Sequence, residues 1–167
     1  GSGIGRAIAL RLAEEGAHVV VNDLTVEAAE KTVEAMGSAK SPALALAADV
    51  SDSAQVRAMF ATVQSRFGRL DVLVNNAGIP TPKEKGDSLN RKYEARLAEM
   101  AGGAGIQTHW DVTVETTDDE WLRLLAVNLN GTFFCSREAL KMMNERNSGA
   151  IINLSSIVAL GGMATGS

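Results

Sequence analysis

The stretch GSGIGRAIAL, residues 1–10, places three glycines within five positions directly before a helical pattern. Ile4, Ile8 and Leu12 recur at the spacing of one helix face, which predicts an amphipathic helix over residues 4–15 that ends at Gly16. Glycines would let a phosphate group approach the backbone, and the partial positive charge of the helix N-terminus would stabilise that group. Glycine runs also occur in ordinary turns, so the rest of the chain must decide the role of this one.

Short apolar strands alternate with helical patterns along the chain. The predicted strands are AHVVVND (17–23), ALALAADV (43–50), LDVLVNNAG (70–78) and AIINLSSIVAL (150–160). Helical spacing joins Val26, Ala29, Val33 and Met36, and then Val56, Met59, Phe60 and Val63. This alternation with short connections is typical of crossover units on a parallel sheet. We therefore predict a doubly wound α/β sheet of the Rossmann type with helices on both faces.

Local signals mark the ends of two further helical patterns. Thr25 is placed as the N-cap of the second helix, and Gly37 as its stop. The stretch TDDEWLRLLAVNLNGTFFCSREALKMM, residues 117–143, begins with Thr117 and Glu120 at capping-box spacing and predicts one long helix. Gly131 is the weak point inside it.

Residues 80–116 interrupt the alternation. Leu89, Tyr93, Leu97 and Met100 form a small helical stripe, and basic and acidic side chains are interleaved around it, which predicts a solvated face of mixed charge. A connection of this length is unusual in a compact domain. We expect a single dinucleotide-binding domain over residues 1–167. Within it, residues 80–116 are either a surface segment with its own short helix or a lid over substrate.

Composition and charge exclude several classes of protein. The chain has 167 residues, 46% hydrophobic and 22% charged, which is typical of a folded globular domain. Its net charge of -4 argues against a nucleic-acid partner, and no apolar run is long enough to span a membrane. The chain has a single cysteine, Cys135, which is typical of a protein in a reducing compartment. We expect it to be a small buried side chain. We expect a cytoplasmic protein.

The position of Asp23 indicates that the glycine run belongs to a nucleotide-binding site. It ends the strand that follows the first helix, eighteen positions after Gly5, where an acidic residue meets the adenosine ribose in a dinucleotide site. A carboxylate there accepts hydrogen bonds from the ribose hydroxyls and repels a 2′-phosphate, which favours NAD over NADP. A solvated loop acid is the alternative interpretation.

Several motifs now occur in a recognisable order: GSGIGRAIAL, VVVND, ADVSD, LVNNAG, LAVNLNG and IINLSS. In this order they resemble the short-chain dehydrogenase/reductase family, whose glycine motif is T-G-x-x-x-G-x-G. The last two glycines of that motif fall on Gly3 and Gly5, so the resemblance implies that residues 1–5 (Gly1, Ser2, Gly3, Ile4 and Gly5) contact the dinucleotide. It also implies that a strand and T-G precede Gly1, and we expect the sequence to be a fragment.

The resemblance extends to the ends of two further strands. It implies that the Asp49 carboxylate and the Val50 amide read the adenine edge, and a helix-capping aspartate is the alternative interpretation. Residues 75–78, NNAG, match the motif in which Asn76, Ala77 and Gly78 pass close to the cofactor ribose. Asparagine and glycine also favour turns, so a structural role accounts for part of this motif.

The family's catalytic residues fall on two positions of this chain. Asn128 matches an asparagine whose side chain helps to hold a water in a proton relay, and mid-helix asparagine has poor intrinsic propensity. Ser156 matches the serine whose hydroxyl donates to the substrate oxygen. Ser155 is less favoured, because alternation along a strand would point it to the opposite face.

The chain also departs from the family pattern. The family's Y-x-x-x-K acid/base motif would fall just after Ser167. Tyr93 has no lysine four residues on, so we assign it no catalytic role. His18 and His109 have no partners at ligand spacing, so we expect no metal site.

The resemblance implies an enzyme that interconverts an alcohol and a ketone by hydride transfer with NAD(P), NAD being preferred. Its expected partners are a small-molecule substrate and, in the full-length protein, three further copies of itself in a homotetramer. Two alternatives stay open: an NADP-dependent 3-oxoacyl thioester reductase, and an inactive nucleotide-binding fragment or interaction module.

Overall fold

The computed structural model describes residues 2–37, 41–80, 83–103 and 105–156. The chain divides into two compact units. The first comprises Gly1–Gly78 and Leu125–Leu154, and the second comprises Ile79–Leu124 and Ser155–Ser167. Gly1 and the last part of the predicted final strand, residues 157–160, lie outside the described residues.

The first unit begins with three helices that alternate with two strands. They are α1 (Gly3–Glu14), β1 (Val19–Asp23), α2 (Val26–Ala35), β2 (Ala43–Ala47) and α3 (Ser53–Phe67). The predicted helix ends are confirmed: Gly16 follows α1 with a φ of 88°, and Thr25 Oγ1 accepts a hydrogen bond of 3.3 Å from the Ala28 amide at the start of α2. These local signals therefore act as the sequence predicts.

The first unit continues with β3 (Val72–Asn75), a π-helical segment (Ala126–Gly131), α7 (Thr132–Asn144) and β4 (Ala150–Asn153). The predicted long helix is confirmed as helical residues from 118 to 144, but its middle is π-helical, which the sequence pattern did not predict. Such segments are rare in proteins overall, and those that occur often lie at functional sites.

The strands pair in parallel, as the predicted Rossmann-type α/β fold requires. β1 pairs with β2 from Val19↔Ala43 to Asp23↔Ala47, and β3 pairs with β4 from Val72↔Ala150 to Asn75↔Asn153. The strands form two separate pairs, because no strand of the described chain hydrogen-bonds to both β1 and β3.

Two apolar clusters hold the first unit together. Ala9 and Ala13 of α1 pack with Val19 and Val21 of β1 and Ala29 of α2. The second cluster consists of Val56, Phe60 and Val63 on α3 with Cys135, Ala139, Met142 and Met143 on α7. Cys135 is buried, as predicted. Ile4 is 66% exposed, whereas Leu12 packs against the first cluster beside Ala9 and Ala13, so the predicted stripe is confirmed at Leu12 and wrong at Ile4.

The second unit contains α4 (Lys83–Gly102), the single turn α5 (Val112–Glu115) and α6 (Asp118–Leu125). The predicted capping box is confirmed, since the Glu120 amide donates to Thr117 Oγ1 (3.3 Å) and the Thr117 amide donates to Glu120 Oε2 (2.8 Å). No described residue of 79–124 is buried. The predicted helix exists and is longer than expected, but its apolar stripe is largely exposed: Tyr93, Leu97 and Met100.

Polar side chains of α4 hold the segment that follows it. Lys92 Nζ donates to the Trp110 carbonyl (2.9 Å), Asp111 Oδ2 (3.2 Å) and Glu115 Oε1 (2.8 Å). One turn further, Arg96 donates to the Thr108 carbonyl and lies over the Trp110 ring, 5.0 Å from its centroid. The expectation of a solvated mixed-charge face is therefore wrong for these side chains, because they pair with backbone and carboxylate groups of residues 108–115.

Candidate functional site

The start of α1 and the end of β1 lie at the same edge of the first unit. The chain runs down α1, turns at Gly16 and returns along β1, and the two elements pack together through Ala9, Ala13, Val19 and Val21. A twelve-residue helix is about 18 Å long. A five-residue strand is about 17 Å long. Because these lengths match, the glycine turn and Asp23 fall at the carboxyl edge of the strands, where ligands of open α/β sheets bind.

The glycine turn leaves the first turn of α1 open. Ser2 is extended, and its side chain makes no capping hydrogen bond. Gly3 has a φ of 57°, which favours glycine, and the first turn contains no acidic residue. A Cβ atom on Gly5 would lie 2.4 Å from Asn76 Nδ2, so an added side chain would have to displace the Asn76 amide. These features suit an anion at the helix N-terminus.

Asp23 occupies the last position of β1. Its Oδ1 accepts a 2.7 Å hydrogen bond from the Leu24 amide, and its carbonyl accepts one of 3.0 Å from the Ala48 amide. Asn22 Nδ2 donates to the Ala48 carbonyl (3.1 Å), which ties the residue before Asp49 to the end of β1. The structure thus places Asp23 and Asp49 on neighbouring chain segments at one edge.

Asp49 makes a turn and does not cap the next helix. Asp49 Oδ1 accepts from the Ser51 amide (2.9 Å) and from Ser51 Oγ (2.6 Å). The N-cap of α3 is Asp52, which accepts from the amides of Ala54 and Gln55, and these hydrogen bonds hold the pKa of the Asp52 carboxyl below its ordinary value. The capping alternative for Asp49 is therefore wrong. Val50 is half-buried, and its side chain lies against Gly131 of the π-helical segment.

The NNAG segment joins the glycine turn to the π-helical segment. Asn76 approaches Gly5, as described above, and a Cβ atom on Gly78 would lie 3.4 Å from Asn128 Oδ1. Asn76, Ala77 and Gly78 are exposed. Five residues that were predicted separately thus form one continuous surface at the carboxyl edge: Gly5, Asn76, Ala77, Gly78 and Asn128.

Asn128 lies in the third position of the π-helical segment and is exposed. Thr132 Oγ1 donates to the Asn128 carbonyl (3.1 Å), so a threonine side chain adds to the backbone hydrogen bonds there. The poor helix propensity of asparagine coincides with a local departure from α-helical geometry.

Ser156 is exposed and lies three residues beyond the end of β4, in the second unit. The strand ends at Asn153, so Ser155 and Ser156 are not strand residues. The argument from strand alternation that favoured Ser156 over Ser155 is therefore wrong, and the resemblance alone favours Ser156.

One residue group at this edge escaped the sequence analysis. Asn75, the first residue of NNAG, donates from Nδ2 to Asn153 Oδ1 (2.8 Å) and to Ser136 Oγ (3.1 Å). The parallel ends of β3 and β4 could have suggested the asparagine pair, but no sequence pattern indicates Ser136.

The described part of the chain shows no metal cluster and no membrane-spanning helix. Within residues 2–37, 41–80, 83–103 and 105–156, no group of three or more histidine, cysteine or acidic side chains could hold a metal ion. His18 is exposed, and its ring lies 5.8 Å from that of Phe67. No helix in this part of the chain is long and apolar enough to cross a membrane.

The whole chain is similar to known proteins. Residues 1–167 match the family described as short chain dehydrogenase. The chain is 36% identical over 161 residues to a 3beta-hydroxysteroid dehydrogenase of Mediterraneibacter gnavus, covering 96% of this chain and 48% of that protein. It is 39% identical over 157 residues to the 3-oxoacyl-acyl-carrier-protein reductase FabG of Staphylococcus aureus, covering 93% of this chain and 52% of that protein.

Solved structures agree with these matches. The crystal structure of levodione reductase superposes with a TM-score of 0.75 at 33% identity, covering 97% of this chain and 53% of that chain. A 3-ketoacyl-ACP reductase from Sinorhizobium meliloti gives a TM-score of 0.69 at 33% identity, covering 93% and 51%. The chain spans about half the length of the curated relatives it matches. On its sequence match and its fold, it belongs to the short-chain dehydrogenase family.

Proposed function

We propose that the protein is an oxidoreductase that interconverts an alcohol and a ketone by hydride transfer, with NAD as the preferred cofactor. The observation that carries the proposal is the common edge shared by the uncapped glycine turn and Asp23. The names of two relatives, a hydroxysteroid dehydrogenase and a 3-oxoacyl reductase, support a substrate with a hydroxyl or carbonyl group.

The residues present fit a dinucleotide. Members of the family use NAD(P). Residues 1–5 would hold the pyrophosphate, because the start of α1 offers amides without a competing carboxylate or side-chain cap. Asp49 and Val50 would face the adenine, and Asn76, Ala77 and Gly78 would pass the nicotinamide ribose. When bound, the cofactor supplies or accepts the hydride.

The preference for NAD depends on Asp23. A carboxylate accepts hydrogen bonds from the two ribose hydroxyls and repels a 2′-phosphate. Ser2 supports this preference, because it leaves the turn without a basic side chain at a position where many NADP-dependent relatives carry one. An NADP-dependent 3-oxoacyl reductase is the second candidate, favoured by the likeness to FabG and disfavoured by Asp23.

Two side chains are proposed to act on the substrate and the proton. The Ser156 hydroxyl would donate to the substrate oxygen and stabilise the negative charge that develops on it. Asn128 would hold a water on a path to solvent, which its exposed position in the π-helical segment allows. Neither residue supplies the acid or base itself.

The assembly and location of the whole protein are also proposals. Leu129, Phe133 and Leu140 are exposed apolar side chains on one face of the π-helical segment and α7, and Arg137 lies over the Phe133 ring. We propose that this face packs against other copies in a homotetramer, and that the chain acts as a single dinucleotide-binding domain in the cytoplasm.

The proposal can be tested with the protein expressed from its complete reading frame. NADH binding is measured first by fluorescence, and oxidation of a panel of secondary alcohols with NAD and NADP is measured next. Ser156→Ala is expected to lower kcat at least a hundredfold with little change in NADH affinity, as for loss of a donor to a developing oxyanion.

The matched control is Ser155→Ala, which removes the neighbouring hydroxyl. Equal losses of kcat in the two variants would show that Ser156 has no specific role in catalysis. If the protein neither binds NADH nor turns over substrate, the oxidoreductase proposal is wrong. The remaining hypothesis is then a catalytically inactive protein or an interaction module.

A further inference from the structure

Gly131, the weak point of the predicted long helix, has no conformational reason to be glycine. It is the last residue of the π-helical segment, and its φ of -58° and ψ of -45° are values that any residue adopts in a helix. Glycine inside a helix is less favourable than alanine by about 0.5–1 kcal/mol. The reason for this glycine therefore lies in what surrounds it.

Val50 fills the space in front of Gly131. A Cβ atom on Gly131 would lie 2.8 Å from Val50 Cγ2, 3.1 Å from Val50 Cβ and 3.3 Å from the Val50 carbonyl oxygen. Valine is branched at Cβ and has little rotamer freedom, and neither its Cβ atom nor its carbonyl group moves without the backbone. A methyl group added at Gly131 would therefore press on the Val50 backbone as well as on its side chain.

The turn that carries Val50 is held on both sides. The Asp49 amide donates to Gln55 Oε1 (3.0 Å), and Asp49 Oδ1 accepts from the Ser51 amide (2.9 Å). The Asp52 amide donates to the Asp49 carbonyl (3.0 Å), and the Val50 side chain packs against the apolar cluster of α3 and α7. Because Asp49 and Val50 belong to one hydrogen-bonded turn, a push on Val50 moves the Asp49 carboxylate and the Val50 amide together.

We propose that Gly131 is a positioning residue for adenine recognition, because its missing side chain lets the turn of Asp49 and Val50 lie directly against the π-helical segment. This inference rests on the proposed function, in which the Asp49 carboxylate and the Val50 amide face the adenine. A glycine needed only for packing would affect the stability of the protein and not its choice between adenine and another base.

The experiment uses two reduced dinucleotides that differ only in the base. NADH carries adenine, whose amino group donates and whose ring nitrogen N1 accepts a hydrogen bond. Reduced nicotinamide hypoxanthine dinucleotide carries a carbonyl group and a protonated N1 at the same places. A carboxylate and a backbone amide that pair with the first pattern reject the second, because both hydrogen bonds are lost. The measured quantity is the adenine preference, which is the dissociation constant of the hypoxanthine dinucleotide divided by that of NADH.

Both constants are measured by nicotinamide fluorescence, with the protein expressed from its complete reading frame. Gly131→Ala is expected to reduce the adenine preference about tenfold, as for a small displacement of the groups that contact a ligand. The matched control is Gly149→Ala, in which the added Cβ atom would lie 2.5 Å from Sδ of the buried Met143. This control also crowds the first unit, so it should lower Tm and leave the adenine preference unchanged.

Val50→Ala supplies a second test, because it keeps the backbone amide and removes the Cγ2 atom that lies nearest to the added methyl group. In this background Gly131→Ala should reduce the adenine preference only about twofold, and a double-mutant cycle measures the difference. If Gly131→Ala does not fold by itself, the double variant replaces it and is compared with Val50→Ala. The same twofold reduction is then expected, since the contacts with the Cβ atom and the carbonyl oxygen of residue 50 remain.

The inference is overturned if Gly131→Ala has the same adenine preference as Gly149→Ala, or if the double variant, where it is used, has the same preference as Val50→Ala. A wild-type protein that binds both dinucleotides equally would also overturn it, while leaving the proposed hydride transfer in place. The proposed function fails in a different way: a wild-type protein that binds neither dinucleotide overturns that function and the inference together.

Discussion

A Cβ atom on Gly5 would lie 2.4 Å from Nδ2 of Asn76, which is shorter than any contact between unbonded carbon and nitrogen atoms. Asn76 directly follows β3, whereas Gly5 belongs to the first turn of α1. Any larger residue at the third glycine of the turn would therefore have to displace the exposed Asn76 side chain, before any ligand is considered.

Gly5→Ala is expected to lower the free energy of unfolding by about 1 kcal/mol, because the new methyl group must displace the exposed Asn76 side chain. Urea titration monitored by circular dichroism measures this change. The matched variant Gly86→Ala, in α4, has no atom within 4 Å of the added Cβ, so it should be neutral or stabilising by about 0.5–1 kcal/mol. Equal effects of the two variants would contradict the close contact.

Asp23→Ala is expected to reduce the ratio of kcat/KM with NAD to that with NADP at least tenfold, which corresponds to about 1.4 kcal/mol. The reason is the loss of repulsion between the carboxylate and a 2′-phosphate. Asp52→Ala is the control: it removes an acid of the same unit that caps α3, so it should lower stability without changing the cofactor ratio. An unchanged ratio in Asp23→Ala would show that Asp23 does not face the ribose.

Lys92→Met is expected to loosen the segment that follows α4, since it removes three hydrogen bonds made to Trp110, Asp111 and Glu115. Limited proteolysis should cut within residues 105–116 several times faster than in the wild type. The neighbouring Arg91→Met changes an exposed side chain and should leave the rate unchanged. Similar cleavage of both variants would argue against the Lys92 contacts.

Acid should destabilise the second unit. The Thr108 hydroxyl and nearby amides hold the pKa of the Glu99 carboxyl below its ordinary value of 4.5, and Lys85 and the Thr117 amide do the same for Glu120. A carboxyl group whose pKa is lowered by folding contributes stability above its unfolded value, and that stability is lost as the pH falls through the folded value. The expected loss therefore begins below about pH 4.5.

Tryptophan fluorescence can follow this acid transition, because both tryptophans, Trp110 and Trp121, lie within Ile79–Leu124. Glu99→Gln should move the fluorescence midpoint to lower pH, since one titrating group is gone. A midpoint that Glu99→Gln does not move would assign the transition to other groups.

Cys135 should react with thiol reagents only when α7 leaves the core. The side chain is 4% exposed, and burial raises the pKa of its thiol to about 11. At pH 8 the reactive thiolate is therefore rare as well as inaccessible. Labelling with a disulfide reagent is expected to follow the rate of unfolding; rapid labelling under native conditions would mean that α7 opens locally.

The sequence predicted best those features that depend on neighbouring residues. The caps at Thr25 and Thr117, the stop at Gly16 and the parallel strands all follow from local chemistry or from alternation. The site residues were predicted from the family resemblance. The structure places Gly5 against Asn76 and Gly78 against Asn128, but it does not test what these residues bind.

Features that depend on distant partners were missed. Ser136 has no distinguishing pattern, because its hydrogen bond with Asn75 forms only when α7 lies beside the end of β3. The charged residues of α4 resemble a solvated face in sequence, since the backbone carbonyls of Thr108 and Trp110 that they bind carry no residue-specific signal. The π-helical geometry also escaped, because it is defined by i→i+5 hydrogen bonds that no residue pattern in this stretch indicates.

The absence of any buried residue among the described part of 79–124 has a calorimetric consequence. Heat capacity rises on unfolding mainly because apolar surface becomes hydrated, and it falls when polar surface does. Melting of the second unit should therefore absorb heat as its ion pairs and hydrogen bonds break, with little change in baseline. The first unit, with its two apolar clusters, should carry nearly all of the heat-capacity step.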